Sequence, residues 1–443
     1  MKKPLKPPYE TISKIITENP DRWLEIVNFK GDLKDTKYLH WDQMYHMTPP
    51  KGLSREEWWL AIIHNRDNSA KDLPMWDKER RRLLRWVMTN PIPERLHQID
   101  FNAGSGAGLP SAGLSDETRD IYYVSSLIEE AFTSSRLEGA LTTRRVAKDL
   151  IRTGRKPADK AERMVLNNYL TMKEIRDFKD EPLTKELVFK IHSLITQGTL
   201  DDPTDAGRLR TAADDIAVVD EKGQLLHTPP DPNELPERME AMCRFANDKS
   251  TKKFIHPVIR SIILHFWLAY DHPFVDGNGR TARTLFYWSM LRHGYELFEF
   301  ISISSIILKG PSKYLRAFLY TESDENDLTY FILYHLDVIR RAVDALNEYI
   351  RRKTQELRAL EQRLRGLAAL NHRQRALINH ALHHPGERYT IYGHRMSHDT
   401  AYETARSDLL HLEREGLFTA EKIGKRWYYT PAENFERRLG ASP

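Results

Sequence analysis

The chain has 443 residues, which at about 150 residues per domain suggests two to four domains. Hydrophobic residues make up 40% and charged residues 29%, which excludes a largely disordered or collagen-like chain. The 67 basic residues against 63 acidic residues leave a net charge of +4, too small to indicate nucleic-acid binding by charge alone. The single cysteine, Cys243, excludes an intrachain disulfide and a cysteine-based zinc cluster.

Targeting signals are not evident in the sequence. Prolines interrupt the N-terminal stretch MKKPLKPPYE, so it lacks the apolar run of a signal peptide. No stretch approaches the run of about 18 apolar residues that a membrane helix needs. We therefore expect a cytoplasmic protein without membrane contact.

Residues 1–101 are predicted to form an N-terminal accessory domain rich in tryptophan, and residues 102–116 a flexible linker. A helix is expected over about 55–63, because Ser54 is a good N-cap. No set of catalytic or ligand-binding side chains is evident in this domain, so we expect it to serve in packing or in target binding. The linker is rich in glycine and has few large side chains, so it cannot bury enough apolar surface to order itself.

The region 117–350 has helical periodicity for most of its length. Residues 216–226 interrupt it with two short apolar runs around a Glu-Lys-Gly turn, which predicts a β-hairpin. The predicted helices lie near 117–137, 143–152, 159–177, 184–196, 233–247, 257–271, 279–293, 311–322 and 327–350.

The last quarter of the chain is predicted as a connecting helix, 351–368, followed by a separate domain, 369–443. Too few heptads are present in the connecting segment to favour a coiled coil. Beyond it, three helices near 372–383, 390–396 and 400–415 precede an extended stretch that turns at Gly424, an order that resembles a winged helix. Eleven basic against nine acidic residues between 371 and 440 leave DNA contact and protein contact both open.

The residues best suited to catalysis and anion binding lie in the stretch His272–Arg283, HPFVDGNGRTAR. A Gly-Asn-Gly loop that opens a helix presents free backbone N–H groups and the positive end of the helix dipole to an anion. Arg280 and Arg283 lie on one face of that helix and add two planar cations. Asp276 is suited to a hard cation such as Mg²⁺. His272 is suited to remove a proton near neutral pH, so the stretch predicts a nucleotide phosphate cradle beside a general base.

This stretch matches the Fic motif, HxFx(D/E)GNGRxxR, at every defining position. The resemblance extends over about 117–350, because IHPVIRSIILHFWLAYD, GRLR at 207–210 and TYFILYHLDVI at 329–339 are also similar to Fic segments. It implies a mostly α fold: a Fic-type helical core with a β-hairpin flap, between an N-terminal helical segment and a C-terminal winged helix-turn-helix.

The resemblance implies a protein adenylyltransferase, which passes AMP from ATP to a Tyr, Thr or Ser hydroxyl of a target protein or of itself and releases pyrophosphate. His272 would be the base that deprotonates the target hydroxyl, and Phe274 would point into the core. Asp276 would hold Mg²⁺ against the α- and β-phosphates.

The remaining motif residues would bind the phosphates of ATP. Gly277, Asn278 and Gly279 would supply the anion hole in which charge builds up during transfer. Arg280 would bind near the β-phosphate and Arg283 the γ-phosphate.

Two further assignments also follow from the resemblance. Tyr314 lies where the family often places an aromatic residue on the adenine side. The predicted hairpin resembles the flap that clamps the target segment by main-chain pairing. The flap residues expected to do this are Ile216, Ala217, Val218 and Val219.

A second motif, Ser134-Ser-Arg-Leu-Glu138-Gly139, matches the inhibitory (S/T)xxxE(G/N) pattern of self-restrained Fic proteins. Glu138 could form a bidentate ion pair with Arg283 and remove the γ-phosphate clamp, so that ATP binds unproductively. The same glutamate could position a water with His272 and remove AMP again. In related proteins inhibition is relieved by rearrangement of a homodimer or by self-modification, and both stay open here.

Two alternatives compete with adenylylation. One is a Fic enzyme that transfers another nucleotide or a phosphate group; the intact GNGR argues against the kinase-like variants, whereas the base of the nucleotide stays open. The other is a DNA-binding transcriptional regulator whose Fic core only senses nucleotide, against which the presence of His272 argues.

Overall fold

The computed structural model describes residues 2–33, 35, 37–79, 81–104, 116–220, 222–248, 254–363, 370–384, 386–424, 426–433, 435 and 439. It is mostly helical, as the sequence predicts. Most of the predicted linker, 105–115, lies outside the described residues. The elements before that gap are α1 (Tyr9–Glu18), α2 (Pro20–Val27), α3 (Trp41–Met44), α4 (Arg55–Asp67), β1 (Ala70–Trp76), β2 (Leu83–Val87) and α5 (Pro91–Ala103).

The predicted N-terminal helix is α4, and it begins where the sequence indicates. Ser54 and Glu57 form a capping box, with Glu57 N donating to Ser54 Oγ at 3.1 Å and Ser54 N donating to Glu57 Oε2 at 2.8 Å. The helix runs on to Asp67, beyond the predicted end. Its apolar side chains form a small core with α1–α3 that includes Ile26, Trp58 and Trp59.

The antiparallel pair β1–β2 is a feature that the sequence reading did not predict. Leu73, Met75, Leu84 and Trp86 of this hairpin are buried in the main hydrophobic core of the molecule. The apolar residues of α5 join the same core. Residues 70–103 therefore pack with the central helices, whereas the helices before them have a core of their own.

The central body contains ten α-helices in its described part and a two-stranded hairpin. The predicted boundaries agree with the observed ones to within a few residues for most of these helices. The elements are α6 (Asp116–Leu137), α7 (Arg144–Thr153), α8 (Lys160–Phe178), α9 (Lys185–Thr196), β3 (Val218–Val219), β4 (Leu225–His227), α10 (Leu235–Asn247), α11 (Pro257–Asp271), α12 (Asn278–Arg292), α13 (Ile303–Leu308), α14 (Pro311–Ser323) and α15 (Thr329–Arg363).

Helices α11 and α12 lie at the centre of this body and pack against each other. Both are buried on nearly all sides, because most of their residues on every face are apolar or small. A pair of helices enclosed in this way gives a rigid support to the loop that joins them. Helix α15 is continuous from Thr329 to Arg363, so residues 351–363 of the predicted connecting helix extend the preceding helix without a break, whereas 364–368 lie outside the described residues.

The C-terminal part has three helices and an antiparallel hairpin, in the order that the sequence predicts: α16 (His372–His383), α17 (Ile391–His398), α18 (Tyr402–Arg414), β5 (Phe418–Ile423) and β6 (Arg426–Pro431). They enclose their own apolar core, which includes Ile378, Leu409 and Phe418. Helix α17 also packs against α6 and α7. The winged-helix assignment stays a prediction.

In the described part of the chain, no helix combines the length and apolar character needed to cross a bilayer.

Candidate active site

The loop between α11 and α12 brings the motif residues together. His272 ends α11 in a left-handed conformation, with φ 46°, and its N–H donates to Leu268 O at 3.0 Å. Gly277 precedes α12 with φ 84°, and a Cβ at this position would lie 2.7 Å from Thr196 Cγ2. Glycine is therefore required at 277 both by the backbone angle and by the close approach of α9.

The His272 imidazole is held in one tautomer. Its Nδ1 contacts Ala269 O at 3.2 Å, and because a carbonyl oxygen only accepts, Nδ1 carries the proton. Burial lowers the pKa of His272 to about 4. The ring is therefore neutral at physiological pH, with a lone pair on Nε2 that can accept a proton.

Arg210, in the GRLR segment, holds the backbone of this loop. Its Nε donates to His272 O at 2.8 Å, and its backbone N–H donates to Pro273 O at 2.8 Å. Its Nη2 donates to Pro230 O at 2.6 Å and to Asp271 O at 3.3 Å. The sequence indicates only that this segment is similar to a Fic segment, and it predicts no role for Arg210.

His192 on α9 also supports the loop, and the sequence reading missed it. Its Nε2 donates to Asp276 O at 2.9 Å, and its Nδ1 accepts from Gly207 N at 3.0 Å. The ring stacks on the buried Phe274, with centroids 3.8 Å apart. Burial lowers the pKa of His192 to about 4, which keeps the ring neutral as these two contacts require. The signal that could have indicated this role is the position of His192, a polar residue on the apolar face of α9.

The first residues of α12 are organised by Asn278 and Asp276. The Asn278 side chain bonds both backbone groups of Phe274, accepting at 2.9 Å and donating at 2.7 Å. Asp276 Oδ1 accepts from Gly277 N at 2.5 Å and lies 3.6 Å from Arg280 Nη2. The Asp276 side chain is 45% exposed, so it faces the open side of the loop.

Among the described residues, no three histidine, cysteine, aspartate or glutamate side chains are placed to hold a metal ion. Asp276 is the motif carboxylate at this loop. A magnesium ion bound by one carboxylate takes its other ligands from substrate phosphates and water, which is usual for Mg²⁺ in nucleotide sites.

Arg280 is a fully buried cation with unused hydrogen-bonding capacity. Its Nη1 donates to Ile195 O at 3.1 Å, but its Nε and Nη2 are buried and make no hydrogen bond. Burial lowers the pKa of this guanidinium. Buried donors without acceptors are costly, so the arrangement favours an anion at the N-terminus of α12.

Arg283, one helical turn further on, donates hydrogen bonds to Ser134 of α6 and to Glu138 just beyond that helix. Its Nε donates to Ser134 Oγ at 2.9 Å, and its Nη2 donates to Ser134 O at 3.1 Å and to Glu138 Oε1 at 2.8 Å. Arg283 is buried, whereas the Glu138 side chain is 28% exposed. Desolvation alone would raise the pKa of Glu138, but the guanidinium lowers it. The contact is made through one carboxylate oxygen rather than two.

The Glu138 carboxylate also covers the beginning of α12. A Cβ built on Gly279 would overlap Oε1 of Glu138 and would lie 2.7 Å from its Cδ. The carboxylate therefore lies at the N-terminal amides of the helix, where an anionic phosphate would bind. A glycine at 279 is needed for this close approach.

Glu130 anchors the helix that carries Glu138. It is buried on α6, two turns before Glu138, and accepts from Ser302 Oγ at 2.8 Å, Ser304 N at 3.1 Å and Ser304 Oγ at 2.5 Å. Burial raises its pKa. These bonds hold α6 against α13 in one register. Just beyond α6, Gly139 has φ 86° and turns the chain away.

Tyr314 lies on α14 and contacts α11, whereas the hairpin β3–β4 is a separate element. The Tyr314 hydroxyl contacts His265 Nε2 at 2.9 Å, and burial is the main cause of its raised pKa, which the Arg283 charge opposes. In the hairpin, Val218 pairs with His227, and Val219, at 53% exposure, pairs with Leu225. Ile216 and Ala217 precede the first strand without being part of it.

Comparison with known proteins identifies the central region. Residues 182–290 match the model of the Fic/DOC family. The protein adenylyltransferase Fic of Nematostella vectensis is 28% identical over 167 residues, covering 38% of this chain and 35% of that protein. The protein adenylyltransferase fic-1 of Caenorhabditis elegans is 38% identical over 94 residues, covering 21% and 17% respectively. The chain therefore spans about a third or less of the length of these relatives.

Two solved structures are similar to the chain. A Fic family protein from Desulfovibrio desulfuricans aligns with 77% of this chain and 95% of its own, at 17% identity and a TM-score of 0.49. Fic-1 from Caenorhabditis elegans aligns with 59% of this chain and 73% of its own, at 20% identity and a TM-score of 0.44. The matched family region includes the loop and most of α12, whereas α6 lies outside it.

Proposed function

From the Fic domain that the chain contains at residues 182–290, we propose that the protein transfers AMP from ATP to a hydroxyl side chain of a target protein, or of itself. The target oxygen forms a bond to the α-phosphorus of ATP, the bond from that phosphorus to the bridging oxygen breaks, and pyrophosphate leaves. The observation that carries the proposal is the buried Arg280 at the beginning of α12, whose Nε and Nη2 make no hydrogen bond, although Nη2 lies 3.6 Å from Asp276 Oδ1.

His272 is the general base of this proposal. Its Nε2 accepts the proton of the target Tyr, Thr or Ser hydroxyl as the oxygen attacks. The hydrogen bond from Nδ1 to Ala269 O supports this role, because it leaves the lone pair on Nε2. Arg210 and His192 are positioning residues, since they hold the backbone on either side of the base.

The phosphates are bound by the beginning of α12. The amides of Gly277, Asn278 and Gly279 form the anion hole, and Arg280 binds near the β-phosphate through its two unused nitrogens. Arg283 binds the γ-phosphate when it is released from Glu138. Phosphoryl transfer depends mainly on positioning and charge stabilisation, which a rigid helix N-terminus supplies.

Mg²⁺ is the cation that this proposal requires. Asp276 would hold it, since its side chain is half-exposed at the mouth of the loop. When bound, the ion would neutralise charge on the α- and β-phosphates of ATP.

Glu138 restrains the reaction in this proposal. Its carboxylate binds Arg283 at 2.8 Å and covers Gly279, so it competes with the γ-phosphate for the same cation. ATP would then bind with its phosphates displaced from the attacking position. Ser134 and Gly139 support the restraint, since Ser134 bonds Arg283 and Gly139 allows the turn after Glu138.

The test is incubation with Mg²⁺ and α-labelled ATP of three proteins: the unmodified chain, Glu138→Gly, and Glu138→Gly with His272→Ala. We expect protein-bound label in Glu138→Gly only. Parallel γ-labelled ATP separates AMP transfer from phosphate transfer. Label from the γ-position would contradict adenylylation, and nucleotide binding without any label would favour the regulator alternative.

A further inference from the structure

A cavity of about 160 Å³ lies between the C-terminal part of the chain and the central body, away from the Fic loop. Helices α6 and α7 form one wall, the end of α15 another, and α16 and α17 with the segment between them form the rest. Val124, Ile128, Tyr349 and Leu377 provide apolar surface. A cavity of about 150 Å³ can hold a molecule of the size of benzene, so this one can hold a small organic molecule.

The charged groups that line this cavity are mostly cationic. Lys148, Arg152 and Arg388 carry fixed positive charge, and Glu387 is the one carboxylate among the described lining residues. Glu387 lies 3.6 Å from His380 Nδ1. The lining therefore favours an anion over a cation.

Arg152 is one of the two partly buried cations of this lining. Its guanidinium contacts His380 Nε2, and the His380 Nδ1 contacts the Tyr389 hydroxyl at 2.8 Å. Among the described residues, no carboxylate lies within ion-pair distance of Arg152. Burial lowers its pKa. Arg152 is partly buried, and the Glu387 carboxylate in the same lining offsets the desolvation of its charge in part without forming an ion pair with it.

Two further buried polar atoms in the lining have no hydrogen bond. They are Nδ1 of His394 and Nδ1 of His398, both on α17. His394 uses its other nitrogen on Asp408, at 3.2 Å. Because Nε2 of His394 donates to that carboxylate, its Nδ1 is left as an acceptor, which a donor group of a ligand such as a hydroxyl can satisfy but an oxyanion cannot.

The walls of the cavity are built by close packing rather than by loose apposition. A Cβ on Gly393 of α17 would overlap the carbonyl oxygen of Arg152, and a Cβ on Gly154 would overlap the ring of Tyr392. Two glycines therefore allow α17 to lie directly on the end of α7. Tyr349 Oη donates to Ser125 Oγ at 3.1 Å and ties α15 to α6 on the opposite wall.

We propose that this cavity binds a small organic oxyanion with a flat apolar body. The oxyanion pairs with Arg152, supported by Lys148 and Arg388, and the apolar body lies against Val124 and Ile128. Arginine presents a planar fork of donors that suits both a carboxylate and a phosphate ester.

The test uses the full chain with two probes, phenyl phosphate and 4-hydroxybenzoate, measured by isothermal titration at saturating Mg²⁺ and ATP. Saturation with nucleotide keeps the probes from the Fic loop. We expect one probe to bind with one-to-one stoichiometry, and Arg152→Gln to weaken that binding by about tenfold or more. The probe that binds distinguishes a phosphate ester from a carboxylate.

Lys148→Gln is the second variant, in case Arg152→Gln folds poorly, and we expect it to weaken binding severalfold. Arg145→Gln is the matched control, since it removes a charge from an exposed position on the same helix outside the cavity. The proposal is overturned if neither probe binds, or if Arg145→Gln weakens binding as much as the cavity variants do. Inorganic phosphate binding as tightly as phenyl phosphate would overturn the apolar subsite.

Discussion

The protonation state of His272 determines how the proposed reaction should depend on pH. Its folded pKa of about 4 lies below the ordinary value of 6.5, because burial disfavours the imidazolium. The basic form is therefore present from well below neutral pH upward, and it is lost only as pH falls through about 4. The nearby Glu138 charge raises this pKa, so its removal should lower the value further.

We therefore predict that AMP transfer by Glu138→Gly shows no inflection from His272 between about pH 5.5 and 8. The measurement is the rate of labelling under single-turnover conditions across that range. A fall in rate centred near 6.5 would mean that the imidazole is solvated as in a free histidine. It would contradict the buried, neutral base.

The hydrogen bonds of His192 give a second prediction at the same scale. His192→Phe keeps a ring that can stack on Phe274, but it removes the donor to Asp276 O and the acceptor for Gly207 N. We expect a loss of about tenfold in kcat in the Glu138→Gly background, with KM for ATP less affected, because the loop is mispositioned rather than removed.

His192→Gln separates positioning from bulk. Glutamine can restore a donor and an acceptor, although it lacks the stacked ring, so it should recover part of the lost rate. If Phe and Gln variants are equally impaired in KM and unimpaired in kcat, His192 does not position the loop.

At the scale of elements, the packing of α17 connects the C-terminal part to α7 and to α6, the helix that precedes Glu138. Helix α17 packs on both α6 and α7, and α6 carries Glu138 just beyond its end. The contact depends on Gly393, where any Cβ meets the backbone carbonyl of Arg152. A backbone atom cannot move aside as a flexible side chain can.

We predict that Gly393→Ala loosens this packing and raises AMP transfer by the otherwise unmodified chain. Alanine should favour an isolated helix by about 1 kcal/mol over glycine, so any destabilisation must come from the tertiary contact. Hydrogen exchange of α6 and α17, together with labelling by α-labelled ATP, measures both effects.

Arg395→Ala is the control, because Arg395 is exposed on the same helix. Faster exchange in α17 without any change in α6 or in AMP transfer would show that the C-terminal part does not bear on inhibition.

Helix positions and the motif loop could be predicted from the sequence because their signals are local. Ser54 caps α4, and the stripe of α11 ends at His272 where the motif begins. The roles of His192 and Arg210 could not be predicted, because each acts on residues 61 to 84 positions away that only the fold brings near. The hairpin β1–β2 was missed because Pro74 and charged residues obscure its alternation.

The placement of α17 on α7 was also beyond the sequence. Gly154 and Gly393 permit this placement. In the sequence alone, Gly154 indicates the end of a helix and Gly393 a weak position within one. Their meaning depends on a partner more than 200 residues away in the chain, so it appears only in three dimensions.

At the scale of the whole molecule, a buried polar cluster joins the N-terminal helices to the central body. Asp324 accepts hydrogen bonds from Tyr9, which begins α1, and from Tyr330 of α15 at 2.6 Å. Arg66 of α4 donates to Tyr330 Oη at 2.8 Å. Tyr38 Oη donates to Asp327 Oδ2 at 2.6 Å. The two hydrophobic cores are therefore connected by polar contacts that burial makes sensitive to charge.

Burial, followed by repulsion from Asp327, raises the pKa of Asp324 from 3.8 to about 6. A raised folded pKa means that the folded protein retains a proton that the unfolded chain releases. The stability from this group is therefore fully present below about pH 3.8 and is lost as pH rises through about 6.

An asparagine in place of Asp324 would resemble the protonated form at every pH, so we predict that Asp324→Asn gains stability relative to the unmodified chain as pH rises across this window. A shift of about two units corresponds to about 3 kcal/mol in that difference. Urea unfolding of both proteins at several pH values measures it, and parallel pH profiles would show that the carboxylate is ionised in the folded cluster.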